Sequence, residues 1–222
     1  MKAIILSAGR GERLRPLTDT IPKPLVEIDG KALIEYHLEK LANAGIKEVV
    51  INHAWLGEKI EQKIGNGTRY GLNIIYSAEP KGGLETAGGI INALDKLTDG
   101  KMPFLVINGD IFTDYDFNEL VAIKLEDQKL AHLVLVNNPA FKKTGDFGLE
   151  KGQVNEQQEY TFSGISLLHP NLFKNIKLDR LKLAPIFRKA IQNKQVTGRL
   201  YQGFWSDIGT LERLEDAIKR KE

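Results

Sequence analysis

The chain has 222 residues, of which 42% are hydrophobic and 27% charged, as is ordinary for a soluble globular protein. Its formal net charge is only +2, so no overall field would recruit nucleic acid or a membrane, and any anion site must be local. The absence of cysteine excludes disulfides, thiolate metal sites and cysteine nucleophiles. The first apolar run is too short for a secretory signal, and no run reaches about 18 apolar residues, so we expect a cytoplasmic protein.

Apolar runs of strand length alternate with helical patterns along the first 137 residues. The candidate strands are continuously apolar, as strands covered on both faces are, and lie at Ala3–Ser7, Glu48–Asn52, Asn73–Ser77, Phe104–Asn108 and His132–Asn137. Apolar residues at helical spacing predict helices near Ala32–Ala44, Trp55–Ile64, Ile90–Leu97 and Phe117–Leu125. This alternation predicts an α/β fold with a doubly wound, mostly parallel, Rossmann-like sheet.

Beyond residue 137 the pattern changes to shorter elements. Strands are predicted at Phe147–Lys151, Thr161–Leu168 and Val196–Tyr201, and helices near Asp179–Asn193 and Thr210–Lys221. No linker, repeat or low-complexity segment interrupts the chain. We therefore predict a single domain over residues 1–222, with a nucleotide-binding half at about 1–137 and a small, more antiparallel half at about 138–222.

The loop after the first strand reads LSAGRGERLRPLTDTIPKP and has the features of an anion site. Gly9 and Gly11 let the backbone approach a phosphate, and the N–H groups between them can form an anion nest. The loop lacks the G-x-x-x-x-G-K-[ST] pattern of a Walker A loop. A dinucleotide fingerprint also fits poorly, because Leu14 stands at its third glycine, Pro16 blocks an immediate helix, and the second strand ends in Asn52 instead of an acid.

Two basic residues of this loop, Arg13 and Lys23, are the candidates for binding phosphate. Pro22 and Pro24 flank Lys23 and favour a stiff, extended backbone there. Arginine offers phosphate a bidentate fork, whereas lysine offers a point charge. The alternative interpretation is a solvated basic loop whose prolines only form turns.

The motif L-S-A-G-x-G-x-R-L-x-P-L-T…P-K-P-L in this loop resembles the signature of the sugar-1-phosphate nucleotidyltransferases. The segment Gly30–Leu38 is similar to that family's G-x-P-L-I-x-Y-x-L. The resemblance implies the fold of the nucleotide-diphospho-sugar transferases, and small-molecule substrates: a nucleoside triphosphate such as UTP and a sugar 1-phosphate. It also implies that the nucleotide contacts Leu6, Ala8, Gly9, Gly11, Glu12, Arg13, Lys23 and Asn108, with Lys23 at the reacting phosphates.

Acidic residues at strand ends are the candidates for binding a metal. Phosphoryl transfer needs charge neutralisation, usually by Mg²⁺, which prefers one or two carboxylates plus phosphate oxygens and water. Asp110 follows the fourth strand and a glycine, although it could be a simple turn residue. Asp207, in W-S-D-I-G-T, could instead cap the following helix. The resemblance implies that Asp110 and Asp207 both bind metal and act in catalysis with Arg13 and Lys23; their spacing alone does not pair them.

The resemblance places the nucleotide base near Glu79–Thr86. Gly83 would let the backbone approach a flat base, and Glu79 could accept a hydrogen bond from a pyrimidine N3–H, although it could equally be an exposed loop acid. Gly88 and Gly89 interrupt a helical pattern at a cost of about 1 kcal/mol each. They predict a closely packed neighbour, either another backbone or a ligand.

The half at about 138–222 is the expected sugar-binding part, with Gly148, Glu150 and Ser163 as candidates. The family often carries an E-K-P motif where this chain has Gln153–Glu159, and the loss of that acid fits an unusual sugar. A sugar phosphate is largely dianionic at neutral pH, its second pKa being about 6, so the implied in-line attack needs no general base. We interpret the four histidines as structural, with only His53 near the site. Another base and sugar pair, or an inactive nucleotide-binding regulator, are the alternatives.

Overall fold

The computed structural model describes residues 1–126 and 128–220. Within these ranges the α-helices are α1 (Leu17–Thr20), α2 (Leu33–Asn43), α3 (Gly57–Ile64), α4 (Glu85–Asn92), α5 (Leu94–Leu97), α6 (Phe117–Val121), α7 (Leu183–Gln192) and α8 (Leu211–Lys219). The strands are β1 (Ala3–Leu6), β2 (Glu27–Ile28), β3 (Lys31–Ala32), β4 (Glu48–His53), β5 (Asn73–Ala78), β6 (Phe104–Asn108), β7 (Ile111–Thr113), β8 (Ala131–Val136), β9 (Phe147–Glu150), β10 (Gln153–Leu168), β11 (Val196–Tyr201) and β12 (Trp205–Asp207). Short 3₁₀ turns lie at Glu12–Leu14, Lys23–Leu25, Thr68–Tyr70 and Pro170–Phe173.

One large sheet runs in the order β11-β8-β10-β6-β1-β4-β5, and β9 pairs with β10 outside that path. Strands β6, β1, β4 and β5 are parallel, with Ile5 opposite both Ile51 and Ile107. The chain passes from β1 to β4 and β5 on one side and returns to β6 on the other. The winding therefore reverses between β1 and β6, and ligands of such sheets bind in the crevice outside the carboxyl ends at that point.

The second half joins the sheet through β10, which is antiparallel to both β6 and β8. Strand β11 then lies parallel to β8 at the edge. Two small antiparallel pairs, β2–β3 and β7–β12, stand apart from the large sheet. The predicted fold class, a mostly parallel α/β sheet with a small antiparallel portion, is confirmed.

Apolar side chains cover the sheet on both faces, as the continuous apolar runs of the sequence predict. Ile5, Ile51 and Ile107 pack on one face with α2 and α3, while Ile4 and Val106 pack on the other with α4 and α7. Alternate residues of a strand point to opposite faces of the sheet. Because both faces are buried here, both sets of residues are apolar and the strands are not amphipathic. No helix in the described part of the chain has the length and apolar character needed to cross a bilayer.

Several predicted boundaries differ from the observed ones. The helix predicted to reach Leu125 ends at Val121, because Ile123 and Leu125 pack against the core from a loop. The helix predicted from Asp179 begins only at Leu183, since the backbone of Leu181 forms hydrogen bonds with Leu84 and Ala87 at the start of α4. The strand predicted from Thr161 begins eight residues earlier. The predicted end of the last helix, Lys221, lies outside the described residues.

The buried histidine of α2 makes stability depend on pH. His37 is 2% exposed beside Phe117, and burial lowers its pKa to about 4, whereas an unfolded histidine titrates near 6.5. Between these values only the unfolded state takes up the proton, so stability falls as pH drops below about 6.5. We expect this one residue to remove about 2 kcal/mol of unfolding free energy between pH 7 and pH 5.

Urea unfolding at both pH values measures this effect. The variant His37→Leu should lose less stability between pH 7 and pH 5 than the wild type does. His169→Asn is the control, because His169 caps a 3₁₀ turn with a ring nitrogen and asparagine can replace that bond. An equal pH dependence in wild type and His37→Leu would contradict the expectation.

Candidate active site

The four basic side chains of the loop after β1 divide into two pairs. Arg10 donates hydrogen bonds to the Thr18 carbonyl at 2.6 Å and to Asp19 Oδ1 at 2.7 Å, and its guanidinium stacks 3.6 Å from the Trp55 ring centroid. Arg15 donates to the same Asp19 oxygen at 2.8 Å. Asp19 thus pairs with two arginines that shape the loop, whereas Arg13 and Lys23 make no contact with it.

Gly11 closes this loop on itself. Its φ is +69°, in the left-handed region, and a Cβ there would lie 3.0 Å from Thr18 Cγ2 and 3.3 Å from Lys23 Cβ. The Thr18 hydroxyl donates to the Gly11 carbonyl at 2.8 Å. Leu14, fully buried, anchors the 3₁₀ turn that follows. Only glycine permits this close approach of residue 11 to Thr18 and Lys23, which brings the two ends of the loop side by side.

Lys23 connects the first loop to the end of β6. It lies between two prolines at the start of a 3₁₀ turn and is only 8% exposed. Its Nζ donates to Asp110 Oδ2 at 2.5 Å. Asp110 follows β6 after a single glycine, so the pair stands at the point where the winding of the sheet reverses.

The small sheet β7–β12 brings Asp110 and Asp207 together. Asp207 lies opposite Ile111 in this pair, and the Ile208 N–H donates to the Asp110 carbonyl at 2.7 Å. Burial raises the pKa of the Asp207 carboxyl; the Arg213 guanidinium, which donates to Asp207 Oδ1, opposes that shift, and the charge of Asp110 adds to it. The pairing of two short strands therefore brings together two carboxylates that are distant in sequence.

Arg13 faces the same edge from the other side. One guanidinium nitrogen of Arg13 lies 3.0 Å from the position that a Cβ on Gly209 would take. Arg13 is exposed, and it forms no ion pair with any residue in the ranges 1–126 and 128–220. Its charge is thus available to a phosphate.

These residues surround a cleft of about 1090 Å³. Of the residues predicted to bind nucleotide or metal, those that border it are Leu6, Ala8, Gly9, Gly11, Glu12, Arg13, Lys23, Asn108 and Asp110. Asp207 stands behind this border, next to Gly209, which does line the cleft. One loop and the end of one strand therefore supply most of the predicted site.

Glu79 and Gly83, the predicted base contacts, lie behind the cleft wall. Glu79 is 9% exposed, and its two oxygens accept from Asn52 Nδ2 at 2.6 Å and from the Leu84 N–H at 2.7 Å. The Gly83 N–H donates to the Pro80 carbonyl at 2.9 Å. The Glu79 carboxylate is a buried loop acid and not an exposed one, and it shapes the loop that borders the cleft.

The close neighbour predicted for Gly88 and Gly89 is present and is the protein itself. A Cβ on Gly88 would overlap the carbonyl oxygen of Asp179, and a Cβ on Gly89 would overlap the carboxylate of Glu79 and the amide of Asn52. Helix α4 can therefore lie against both the cleft wall and the second half only because these two positions lack side chains.

The three predicted sugar contacts do not border the cleft. The Ser163 hydroxyl donates to the Val134 carbonyl at 2.7 Å and accepts from the Ile165 N–H at 3.1 Å, at a bulge in β10. Gly148 is buried in β9 against Asn155, and Glu150 is exposed at the end of that strand. The Ser163 side chain is thus used by the fold, and sugar contacts of these residues stay predictions.

Lys81, Glu85 and Arg180 all border the cleft, and sequence reasoning singled out none of them, although Lys81 and Glu85 lie in the segment where the base is expected. Glu85 Oε1 lies 3.6 Å from Arg180 Nη2, so an ion pair links the two halves at the cleft mouth. The backbone of Glu85 has φ +61°, a left-handed conformation that costs roughly 1 to 2 kcal/mol for a residue with a side chain. Such strain is typical of functional sites, but it is visible only in the structure.

His53, expected near the site, ends β4 with its ring against Gly57 and its Nε2 2.7 Å from Glu61 Oε1. Its neighbours Asn52 and Ala54 border the cleft, whereas His53 does not. The structural role predicted for this histidine thus agrees with its contacts.

The donor set suits a magnesium ion. In residues 1–126 and 128–220, no group of three histidine, cysteine, aspartate or glutamate side chains converges as a metal cage would require. Asp110 and Asp207 would supply two carboxylates, leaving the other ligands to phosphate oxygens and water. Mg²⁺ prefers this arrangement to an all-protein cage.

The chain matches the model of the nucleotidyl transferase family over residues 2–222 and belongs to that family. The family resemblance of its motifs is thereby confirmed. It is similar to the N-acetylmuramate alpha-1-phosphate uridylyltransferase of Neisseria meningitidis serogroup B, with 50% identity over 98% of this chain and 96% of that protein. It is also 32% identical to the catalytic subunit beta of mannose-1-phosphate guanylyltransferase from Danio rerio, over 94% of this chain and 61% of that protein.

Two solved structures share the fold. A Bacillus anthracis protein assigned as a glucose-1-phosphate thymidylyltransferase, in complex with sucrose, superposes with a TM-score of 0.88 at 22% identity, over 99% of this chain and 94% of that one. HddC from Yersinia pseudotuberculosis, complexed with GMP-PN, has a TM-score of 0.81 at 20% identity, over 100% and 99% of the two chains. At such identities the likeness establishes the architecture alone.

Proposed function

We propose that the protein is a cytoplasmic uridylyltransferase of peptidoglycan recycling. It transfers UMP from UTP to N-acetylmuramic acid α-1-phosphate and releases pyrophosphate, giving UDP-N-acetylmuramic acid. The observation that carries this proposal is the 50% identity, along nearly the whole of both chains, with the uridylyltransferase of Neisseria meningitidis. Arg13, Lys23 and Asp110 border one cleft and Asp207 lies beside Asp110 behind that border, an arrangement that supports the chemistry.

The residues of the cleft would act by position and charge. The sugar phosphate, already dianionic, attacks the α-phosphorus of UTP in line, and pyrophosphate leaves without a general base. Arg13 would hold the triphosphate, and Lys23 would place a positive charge beside the reacting phosphates. Mg²⁺, held by Asp110 and Asp207, would neutralise phosphate charge when bound. The glycine-rich backbone from Gly9 to Gly11 would pack against the nucleotide.

N-acetylmuramic acid carries a carboxylate on its lactyl ether, so a cationic partner is expected. Lys142, Lys143 and Arg188 are candidates from the sequence. Lys142 Nζ lies 2.6 Å from Asp146 Oδ2, and Arg188 Nη1 lies 3.9 Å from Glu156 Oε1. Lys143 forms no ion pair with a residue in the described part of the chain, and it is therefore the most available of the three.

A substrate panel with pyrophosphate detection tests the proposal. UTP, dTTP and GTP would each be combined with the 1-phosphates of N-acetylmuramic acid, N-acetylglucosamine, glucose and mannose. We expect UTP with N-acetylmuramic acid 1-phosphate to give the highest kcat/KM, by about tenfold or more, because a site that pairs a carboxylate discriminates against sugars without one.

Other results would assign other functions. A higher kcat/KM for glucose 1-phosphate with UTP or dTTP, or for mannose 1-phosphate with GTP, would change the substrates but keep the reaction. Release of no pyrophosphate from any pair would reject the enzyme and favour a nucleotide-binding regulator.

A further inference from the structure

Arg213 in α8 points back toward the cleft and is held there by several contacts. Its Nη1 donates to Asp207 Oδ1, and its Nε donates to the Thr210 hydroxyl at 3.3 Å. The side chain is only 12% exposed. A Cβ on Gly209 would overlap this guanidinium, so the glycine of the W-S-D-I-G-T motif makes room for it.

An exposed aromatic ring stacks on the Arg213 guanidinium. Phe141, 58% exposed, lies in the loop between β8 and β9, and its ring centroid is 4.1 Å from Arg213 Cζ. The base of this loop is fixed, because Asp146 accepts from Lys142 Nζ at 2.6 Å and from the Phe162 N–H at 2.9 Å. A loop of the 138–222 half is thereby connected, through one arginine, to Asp207.

Arg213 contacts the Asp207 carboxylate and does not reach the cleft where substrates would lie. Arg213 itself does not border the cleft, whereas Arg13 and Gly209 do. Nη1 holds one oxygen of the Asp207 carboxylate while Nε holds the Thr210 hydroxyl, so the planar guanidinium fixes the direction of that carboxylate. A lysine would keep the charge but lose both the fork and the stacking on Phe141.

We propose that Arg213 is a positioning residue that orients Asp207 for the divalent metal, and that Phe141 holds the Arg213 guanidinium in that orientation. The inference rests on the proposed function, since it assumes that Asp207 binds metal with UTP. Residues that orient metal ligands typically contribute 10- to 100-fold to metal affinity.

The test measures Mn²⁺ binding in the presence of UTP by electron paramagnetic resonance, alongside pyrophosphate release. We expect Arg213→Met to raise the Kd for Mn²⁺ by about tenfold or more, and Arg213→Lys and Phe141→Ala to raise it by about threefold. Arg220→Met is the matched control. Arg220, at the end of the same helix, also stacks on an aromatic ring, with its Cζ 4.1 Å from the Phe204 ring centroid, and the change should leave the Kd for Mn²⁺ unchanged.

Unchanged Mn²⁺ affinity, within about twofold, in Arg213→Met would overturn the inference. If Arg213→Met does not fold, unchanged Mn²⁺ affinity in both Arg213→Lys and Phe141→Ala would overturn the inference. Phe141→Ala should fold, because Phe141 is exposed and its loss leaves no cavity. A rise in KM confined to N-acetylmuramic acid 1-phosphate, with normal Mn²⁺ affinity, would make Arg213 a substrate contact instead. A wild-type protein that binds no Mn²⁺ with UTP would refute the proposed function itself.

Discussion

Changing Asp110 to asparagine is expected to lower kcat by roughly 10²- to 10³-fold while leaving the protein folded. Asparagine keeps the shape and can still accept the hydrogen bond from Lys23, so only the negative charge is lost. That charge stands where the sheet reverses its winding and beside Asp207, at the position proposed for the metal. Pyrophosphate release at saturating substrates measures the loss, and thermal unfolding checks the fold.

Asp116→Asn is the control for this change. Asp116 lies six residues downstream and caps α6 by accepting from the Asn118 N–H, a bond that asparagine replaces. It should retain wild-type kcat. If Asp110→Asn kept more than about a tenth of the activity, the charge of Asp110 would not contribute to the chemistry as proposed.

Changing Lys23 to methionine is expected to lower kcat/KM by roughly 10²-fold or more. Methionine fills the buried stem of the side chain but removes the cation that is 8% exposed and aimed at the cleft. The fold should tolerate the change, because the side chain of its partner Asp110 is 37% exposed and can be hydrated. Steady-state kinetics with UTP as the varied substrate measures the loss.

Arg15→Met removes one positive charge from the same loop and is the matched control. Arg15 is exposed and pairs with Asp19, away from the phosphates, so its loss should change kcat/KM by no more than about threefold. Equal losses in the two variants would mean that the loop acts through its total charge, and the specific role of Lys23 would be wrong.

The sequence predicts the sheet well because buried parallel strands leave a strong local signal. The run Phe104–Ile107 is apolar throughout, and Pro103 before it and Asn108 after it mark its boundaries. The rule that ligands bind at carboxyl ends then predicts that Asp110 lies at the cleft, where the structure has it. Gly88 and Gly89 likewise predict close packing, since a missing side chain inside a helix has few other causes.

Other parts of the site depend on contacts that no local pattern contains. Asp207 meets Asp110 only through the pairing of β7 with β12, for which family resemblance is the sole sequence signal. Arg10 and Arg13 look alike in the sequence, yet one is neutralised by Asp19 and stacked on Trp55. The contact between Phe141 and Arg213 joins a loop to a helix far apart in the chain, and no local pattern predicts it.

Strand β10 belongs to both halves of the molecule at once. Its residues Ile165–Leu168 pair with β6 on one side and with β8 on the other, while earlier parts of the same strand pair with β8, β9 and β11. Two halves that share a continuous strand cannot rotate about a linker as hinged domains do. We therefore expect UTP to enter and pyrophosphate to leave through movement of the loops above the sheet and not through domain closure.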